Sequence, residues 1–497
     1  MEQESDQVQQ RLRKLGELRE MGVDPYPARY APTDSAAALH EEGKNLSGEQ
    51  LTSLGRRVRV AGRIVALRRF GKAAFTHIQD GSGRIQLYLK KDLLSAEDFA
   101  VFKKLDIGDL IGVDGVLFRT KTEELTVEAS SLTLLSKSLR PLPEKWHGLK
   151  DIEQRYRQRY LDLIVNPDVR DVFRTRARLV AAIREFFNAR GFLEVETPMM
   201  QPIPGGATAK PFRTFYNALD TEVFLRVAPE LYLKRLIIGG FDRVFEINRN
   251  FRNEGLSREH NPEFTMLEFY QTFADYESLM SLTEELFVGL ARDISGSEKI
   301  VYQGQEVDFT PPWRRLPLVE SLTTVGGLGS DEIRDPSFLE SKAKELGIPL
   351  DQGYGTERLQ VEIWERLVEP TLVDPTFVTD FPKAVSPLAK CRPDDPGTVE
   401  RFELFIAGKE VANAFTELND PVDQRERFGL QVAEREAGDD EAQRMDEDFL
   451  RALEHGMPPA GGEGIGIDRL VMLFTDSANI RDVILFPQLR PEKSGDE

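Results

Sequence analysis

Residues 248–271, NRNFRNEGLSREHNPEFTMLEFYQ, crowd arginines, glutamates, a histidine, a tyrosine and three phenylalanines into one stretch. DRVFEINRNF alternates as a strand, RNEGLSREHNP carries the Gly, Ser, Asn and Pro of a loop, and EFTMLEFYQTF alternates again, which predicts two antiparallel strands with a long connection. Side chains two apart share a face, so Phe264, Met266, Glu268 and Tyr270 point one way and Thr265, Leu267 and Phe269 the other, toward a core. The first set puts an acid and a phenol beside an aromatic ring, a costly arrangement when buried unless a ligand satisfies the polar groups. Arg252 and Glu254 stand where the first strand enters the loop. Taken alone, the stretch equally suits a twisted surface hairpin whose ion pairs are worth about 0–1 kcal/mol each.

Two other segments share this odd composition. RFELFIAGKEVANAFTELND, 401–420, carries Glu403, Glu410 and Glu417, and alternation puts Asn413, Phe415 and Glu417 on one face. Glu410 has the opposite parity, so a site shared with Glu403 needs the turn at Gly408 or a bulge. Carboxylates at this spacing could hold Mg2+ against substrate phosphates. GGEGIGIDRLVMLF, 461–474, runs glycines into an apolar helix with Arg469 near its first turn. Such a helix start meets an anion readily, although close glycine packing explains it as well. Together, two separated arginines, spaced acids, a stacking ring and a glycine-rich approach describe a nucleoside-triphosphate site that is neither a P-loop nor a dinucleotide fingerprint.

The elements that must position these residues divide the chain of 497 residues into several domains. After a charged, helical N-terminal extension (1–56), short β-rich runs over 57–137 are broken by turns such as DGSG, with a helical insert near 92–105. This predicts a small barrel of the oligonucleotide-binding kind. Residues 56–72 hold seven basic side chains, Arg68 and Arg69 among them, and no acid; a solvated strand face and a polyanion contact both fit. Phe75 and Gln86 lie on the two hairpin strands, where a ring and an amide could read an unpaired base or belong to the core. Residues 138–166 read as a linker entering a basic helix. From Pro167 an amphipathic helix with Val172, Leu179, Ile183 and Phe186 on one side runs to a glycine stop at Gly191, and FLEVETP follows as a strand to Pro198. The rest of 167–497 mixes strands and helices without regular βαβ alternation, so the expected class is α+β around an antiparallel sheet. Helices are expected over 275–295, within an insertion around 312–370, and along the acidic stretch 431–456.

Composition narrows the function classes. No apolar run approaches the roughly 18 residues of a membrane span, and the N-terminus lacks the apolar core of a secretory signal, so a cytosolic protein is expected. Cys391 is the one cysteine, and the five histidines are too scattered for a zinc motif, so no zinc is expected and any metal would need oxygen ligands. The net charge of −19 bears on solubility more than on a local binding footprint.

The helix with GFLEVETPMM, the FRNEG…HNPEF loop and strand, and GIGIDR resemble motifs 1, 2 and 3 of the class II aminoacyl-tRNA synthetases, and the barrel marks the subgroup with an N-terminal anticodon-binding domain. Within it, residues from about 57 to 490 are most similar to the bacterial lysyl-tRNA synthetases; aspartate- or asparagine-selecting members typically carry SPQ where APE stands at 228–230. The resemblance implies substrates ATP, L-lysine and tRNA(Lys), a homodimer built on motif 1, and Mg2+ held by Glu403 and Glu410. It implies that Glu417 meets the lysine ε-ammonium, with Tyr270, Asn413, Phe415 and Glu268 shaping the pocket, while Glu230 and the backbone at Gly206 receive the α-amino end. Arg252 would bind the α-phosphate, Glu254 and His260 approach the nucleotide, Phe264 stack on adenine, and Gly466 and Arg469 meet the far phosphates. Arg252 and Arg469 would be the catalytic charges. In the barrel, Phe75 and Gln86 match base-reading positions, backed by Arg68 and Arg69, whereas Ser131, with Glu128 nearby, stands where some relatives place an acid. Competing readings are an aspartyl- or asparaginyl-type synthetase, a non-catalytic tRNA-binding paralogue, and a lysine-transferring enzyme with a protein or lipid acceptor.

Overall fold

Five strands close into a barrel because each alternates apolar and polar residues and each turn carries its own chemistry. In this computed structural model, which describes residues 6–143, 149, 151–350, 355–436, 442 and 444–491, they are β1 (Arg57–Phe70), β2 (Ala73–Gln79), β3 (Arg84–Lys90), β4 (Leu110–Arg119) and β5 (Leu125–Ser136). They close in the order β1-β2-β3-β5-β4. The DGSG turn is fixed by the Asp80 carboxylate, which accepts from the backbone of Ser82 at 2.7 Å and Gly83 at 2.8 Å. Helices Asp6–Glu20, Ala36–Gly43 and Gly48–Leu54 add Leu18, Leu39 and Leu51 to the barrel core, so the N-terminal extension belongs to this compact unit, residues 1–150.

The second unit, 151–497, is built on an eight-stranded sheet. Its strands are β6 (Leu193–Glu194), β7 (Arg243–Phe251), β8 (Glu263–Thr272), β9 (Arg314–Pro317), β10 (Thr376–Pro382), β11 (Thr398–Ile406), β12 (Lys409–Thr416) and β13 (Ala460–Gly466). They run in the order β9-β10-β11-β12-β13-β8-β7-β6. The sheet is antiparallel, as expected, except at its two ends, where β6 pairs with β7 and β9 with β10 in parallel. Both exceptions follow from long crossovers, one carrying the helix Glu230–Ile238 and the other the helices of the 312–370 insertion.

One face of the sheet is core. Leu267 and Phe269 of β8, Phe402 and Leu404 of β11, and Ile465 of β13 pack against the helices Pro167–Ala189, Tyr276–Ser295 and Ile467–Phe474. The first begins with proline at its first turn and is followed by Gly191 at φ 76°, the left-handed stop that glycine accepts without strain. Its residues Leu179, Ile183 and Phe187 are fully buried, with the Phe187 ring 5.2 Å from Phe245 and 4.7 Å from Phe269. The apolar face of this helix, which suits either a dimer interface or burial within the chain, packs within the chain at Leu179, Ile183 and Phe187 and leaves Val172 and Phe186 half-buried.

Two expectations change. FLEVETP is strand only at Leu193–Glu194; one more bond, Val195 N–H to Phe245 O at 2.9 Å, closes it before the chain turns away. The acidic stretch 431–456 is not one helix: Pro421–Glu436 starts earlier, 437–441 and 443 lie outside the described residues, and Asp446 caps a second helix, Glu447–Glu454, by accepting from Phe449 N–H. The basic helix expected after the linker is present from Ile152, in two pieces, Ile152–Arg157 and Arg159–Val165, with the Arg159 guanidinium donating to the carbonyls of Leu485 and Arg481 within the second unit.

Candidate active site

The face of the sheet opposite the core carries a cavity of about 320 Å³, within the range of small-molecule sites. Phe264, Met266, Glu268 and Tyr270 reach it from β8, as strand parity requires, and Glu403, Glu410, Asn413 and Phe415 from β11 and β12. The parity conflict of Glu410 is resolved by a bulge: Leu404 pairs with Ala412 but Phe405 with Glu410, so Val411 is the extra residue and Glu410 joins the face of Glu403.

At one end the acids are buried. Tyr270 donates to Glu268 at 2.8 Å, and burial lifts both well above their usual pKa ranges, with Glu230 adding to each. Gly206 stands at φ 90°, where a Cβ would come within 2.8 Å of Glu230 Cβ; only glycine lets the loop approach that side chain. Glu417 lies just behind the cavity lining, 1% exposed, its Oε1 packed where a Cβ on Gly462 would sit. Burial pushes the Glu417 carboxyl up to about 8 against the opposing charge of Lys234. Lys234, absent from the sequence-based site, lies 2.6 Å from Glu230 Oε1 and 2.5 Å from Glu417 Oε2. Its i,i+4 spacing from Glu230 in APELYLKRL was the available signal.

At the other end, charges meet a ring and a loop. The Arg252 guanidinium lies 5.1 Å from the Phe264 ring, its Nε buried without a hydrogen-bond partner. Burial lowers its pKa, with Glu254 and Glu410 opposing. Arg469 donates to the Glu410 carbonyl and, at 3.2 Å, to its carboxylate, and approaches His260 Nε2 at 3.4 Å. Burial, then Arg469, lowers the His260 pKa. Gly466 ends β13 and starts the helix that carries Arg469. Glu403 accepts from Arg401 at 2.5 Å, and Arg401 also donates to Asn413 at 3.1 Å, so this arginine, missed from sequence, organises two predicted residues. Its parity with Glu403 in RFE was the only hint.

Glu403 and Glu410 fit a divalent cation chemically: burial, with Glu410 adding to it against Arg401, pushes the Glu403 carboxyl to about 7, and a cation would relieve that repulsion. Among the described residues no third acid or histidine completes a metal cluster, so phosphate and water oxygens would supply the remaining ligands, the usual Mg2+ arrangement.

In the barrel, Phe75 is half-buried and joins an aromatic row, 4.9 Å from Tyr88 and 6.4 Å from Phe70. Arg68 is exposed beside it, while Arg69 donates to Leu105 O at 2.9 Å. Gln86 is buried and engaged at both ends, donating to Glu124 at 2.7 Å and accepting from Thr126 at 2.8 Å. Reading a base would require it to exchange one of these partners. Ser131 donates to Asp114 at 2.8 Å, and Glu128 is exposed.

Residues 151–490 match the family described as tRNA synthetases class II (D, K and N), and 58–135 match the OB-fold nucleic acid binding domain. The chain is 55% identical to the lysine–tRNA ligase of Carboxydothermus hydrogenoformans over 97% of this chain and 98% of that protein. It is 54% identical to the lysine–tRNA ligase of Magnetococcus marinus, and 55% to that of Thioalkalivibrio sulfidiphilus, each over 99% and 98%. The chain belongs to the class II tRNA synthetases, among the lysine–tRNA ligases. In this ligase the predicted nucleotide and amino-acid residues converge on one cavity, with Glu417 immediately behind it. Among its described residues, no helix is long and apolar enough to cross a membrane.

Proposed function

We propose that this ligase joins L-lysine to the 3′ end of tRNA(Lys) in the cytosol through a lysyl-adenylate made at this cavity. The observation that carries the choice of lysine is Glu417: it is buried with Glu230 and Glu268, and Lys234 is the one cation acting on it among the described residues, an excess of carboxylate that asks for a cationic group from the substrate. Tyr270, Glu268, Asn413 and Phe415 shape the same end, and Glu230 with the Gly206 backbone takes the α-ammonium. An aspartate or asparagine side chain would leave this acid facing an anion or an amide.

ATP lies at the other end. Phe264 stacks on adenine, Arg252 holds the α-phosphate, Glu254 and His260 approach the nucleotide, and Gly466 and Arg469 receive the outer phosphates. The lysine carboxylate attacks the α-phosphorus in line. An O–P bond forms, the bond to the β-phosphate breaks, and its electrons leave with pyrophosphate. Arg252 balances charge developing on the α-phosphate and Arg469 that on the leaving group, so positioning and charge carry the step without a side-chain base. Mg2+ on Glu403 and Glu410 would add charge neutralisation at the phosphates. The terminal ribose hydroxyl of tRNA then attacks the adenylate carbonyl and releases AMP.

The barrel reads the anticodon by stacking on the aromatic row around Phe75, with Arg68 and Arg69 on the backbone and Gln86 at a base edge. The chain works as a homodimer; the support is now the exposed Leu193, Met199 and Met200 of motif 1. Sedimentation as a monomer overturns that point. The central test is exchange of labelled pyrophosphate into ATP. Lysine drives it, and exchange driven by aspartate or asparagine instead removes the pocket assignment.

A further inference from the structure

Lys234 has no part in the mechanism above, yet its side chain is fully buried between the two carboxylates assigned to opposite ends of the substrate. It donates to Glu230 at 2.6 Å, approaches Glu417 at 2.5 Å and lies 5.3 Å from the centre of the Phe415 ring. Its Nζ is within ion-pair distance of Glu417 Oε2, whereas Glu417 Oε1 has no donor. It therefore supplies charge to Glu417 through Oε2 and leaves Oε1 without a donor. Glu268 and Tyr270 face the same space from β8, and Arg401 of β11 acts on Glu230, but among the described residues Lys234 is the one cation acting on Glu417.

We infer that Lys234 is a positioning residue, an internal counter-ion that holds Glu230 and Glu417 in place and favours their anionic forms so that the pocket selects a second ammonium group. The inference rests on the reading of this cavity as the lysine site. A buried carboxylate without a counter-charge takes up a proton. A protonated Glu417 would present no charge to an ε-ammonium and would accept a neutral hydroxyl nearly as well. Lys234 opposes that protonation at both acids; burial lowers its own pKa, but Glu230 and Glu417 outweigh burial and the net shift is upward.

The test is Lys234→Met, which keeps most of the aliphatic stem and removes the charge. Pyrophosphate exchange is followed from pH 6 to 9 with lysine and with 6-hydroxynorleucine. The acid limb of kcat/KM for lysine should move up by about one pH unit or more, which at a fixed pH on that limb is a loss of about tenfold per unit. Preference for lysine over the hydroxyl analogue should narrow on the acid limb and widen again as pH rises past it, with the KM for ATP unchanged. A limb that stays in place overturns the inference. A loss equal at every pH, or one extending to ATP, assigns Lys234 a packing role and also overturns it. Because the single change orphans buried acids, the comparison is repeated with Lys234→Gln, whose amide can still donate to them without carrying charge. The same rise of the limb is expected there, and its absence counts against the inference. Failure of the unsubstituted enzyme to use lysine is a different result, and overturns the lysine reading itself.

Discussion

At the amino-acid end of the cavity Glu230, Glu268, Tyr270 and Glu417 are buried and engaged with one another or with Lys234, whereas at the nucleotide end Glu254 and His260 are exposed on a loop and the buried Arg252 Nε has no partner. The first end is assembled before any ligand arrives, by helix, strand and ion pair together. The second has its charges aimed but not satisfied. A built polar pocket discriminates by what it leaves unpaired when the wrong substrate enters, and such sites can separate analogues by about 10^4–10^5. Open charges cannot discriminate that way, but they can stabilise negative charge that grows during reaction.

If that contrast holds, Glu417→Gln gives the largest effect. The amide keeps the shape and removes the charge, so kcat/KM for lysine should fall by about 10^3-fold or more while the KM for ATP barely moves. Comparable losses for both substrates would mean that the two ends are not separate. Arg252→Ala should show the opposite signature: kcat falling by about 10^2–10^3 with the lysine KM nearly constant. Steady-state kinetics with each substrate varied in turn reads both. A rise confined to the lysine KM in Arg252→Ala would erase the distinction.

The open end was more legible in sequence than the buried one, for a physical reason. Phe264 declares itself by parity on its strand, and Arg252 and Arg469 by their places at a loop entry and a helix start, whereas at the buried end parity shows only Glu268 and Tyr270. Lys234 and Arg401 also act across elements, one from a helix onto the end of β12 and the other between β11 and β12; their own segments show Glu230 and Glu403 by spacing and parity but not the partners Glu417 and Asn413. Glu410 lay between these cases. Its parity demanded an irregularity, and the bulge at Val411 supplies it, although only the pairing register could say where. The barrel was readable from turns and alternation, but not the engagement of Gln86, whose partners Glu124 and Thr126 lie about forty positions away.

Burial on the core side of the sheet, behind the amino-acid end, should also appear in stability. Glu463 of β13 is 1% exposed and touches the Thr283 hydroxyl at 2.8–2.9 Å, and burial pushes its carboxyl up to about 8, the hydroxyl opposing. Protonated in the fold near neutrality and ionised in the unfolded chain, it gives the native state the greater proton uptake between its ordinary value of 4.5 and about 8. Its contribution is therefore most favourable below pH 4.5 and is lost as pH rises through that window, at up to about 1.4 kcal/mol per pH unit. Glu463→Gln cannot ionise and is spared the loss. Its Tm should match that of the unsubstituted enzyme near pH 5 and exceed it by on the order of 10 °C at pH 8, since about 3–4 kcal/mol is lost over that interval and about 1 kcal/mol moves Tm by roughly 2–4 °C in domains of 150–250 residues. The difference between the two proteins isolates this group from the other buried acids, which titrate in both. An offset independent of pH would show that Glu463 is not protonated in the fold, and that burial behind this face is wetter than its exposure implies.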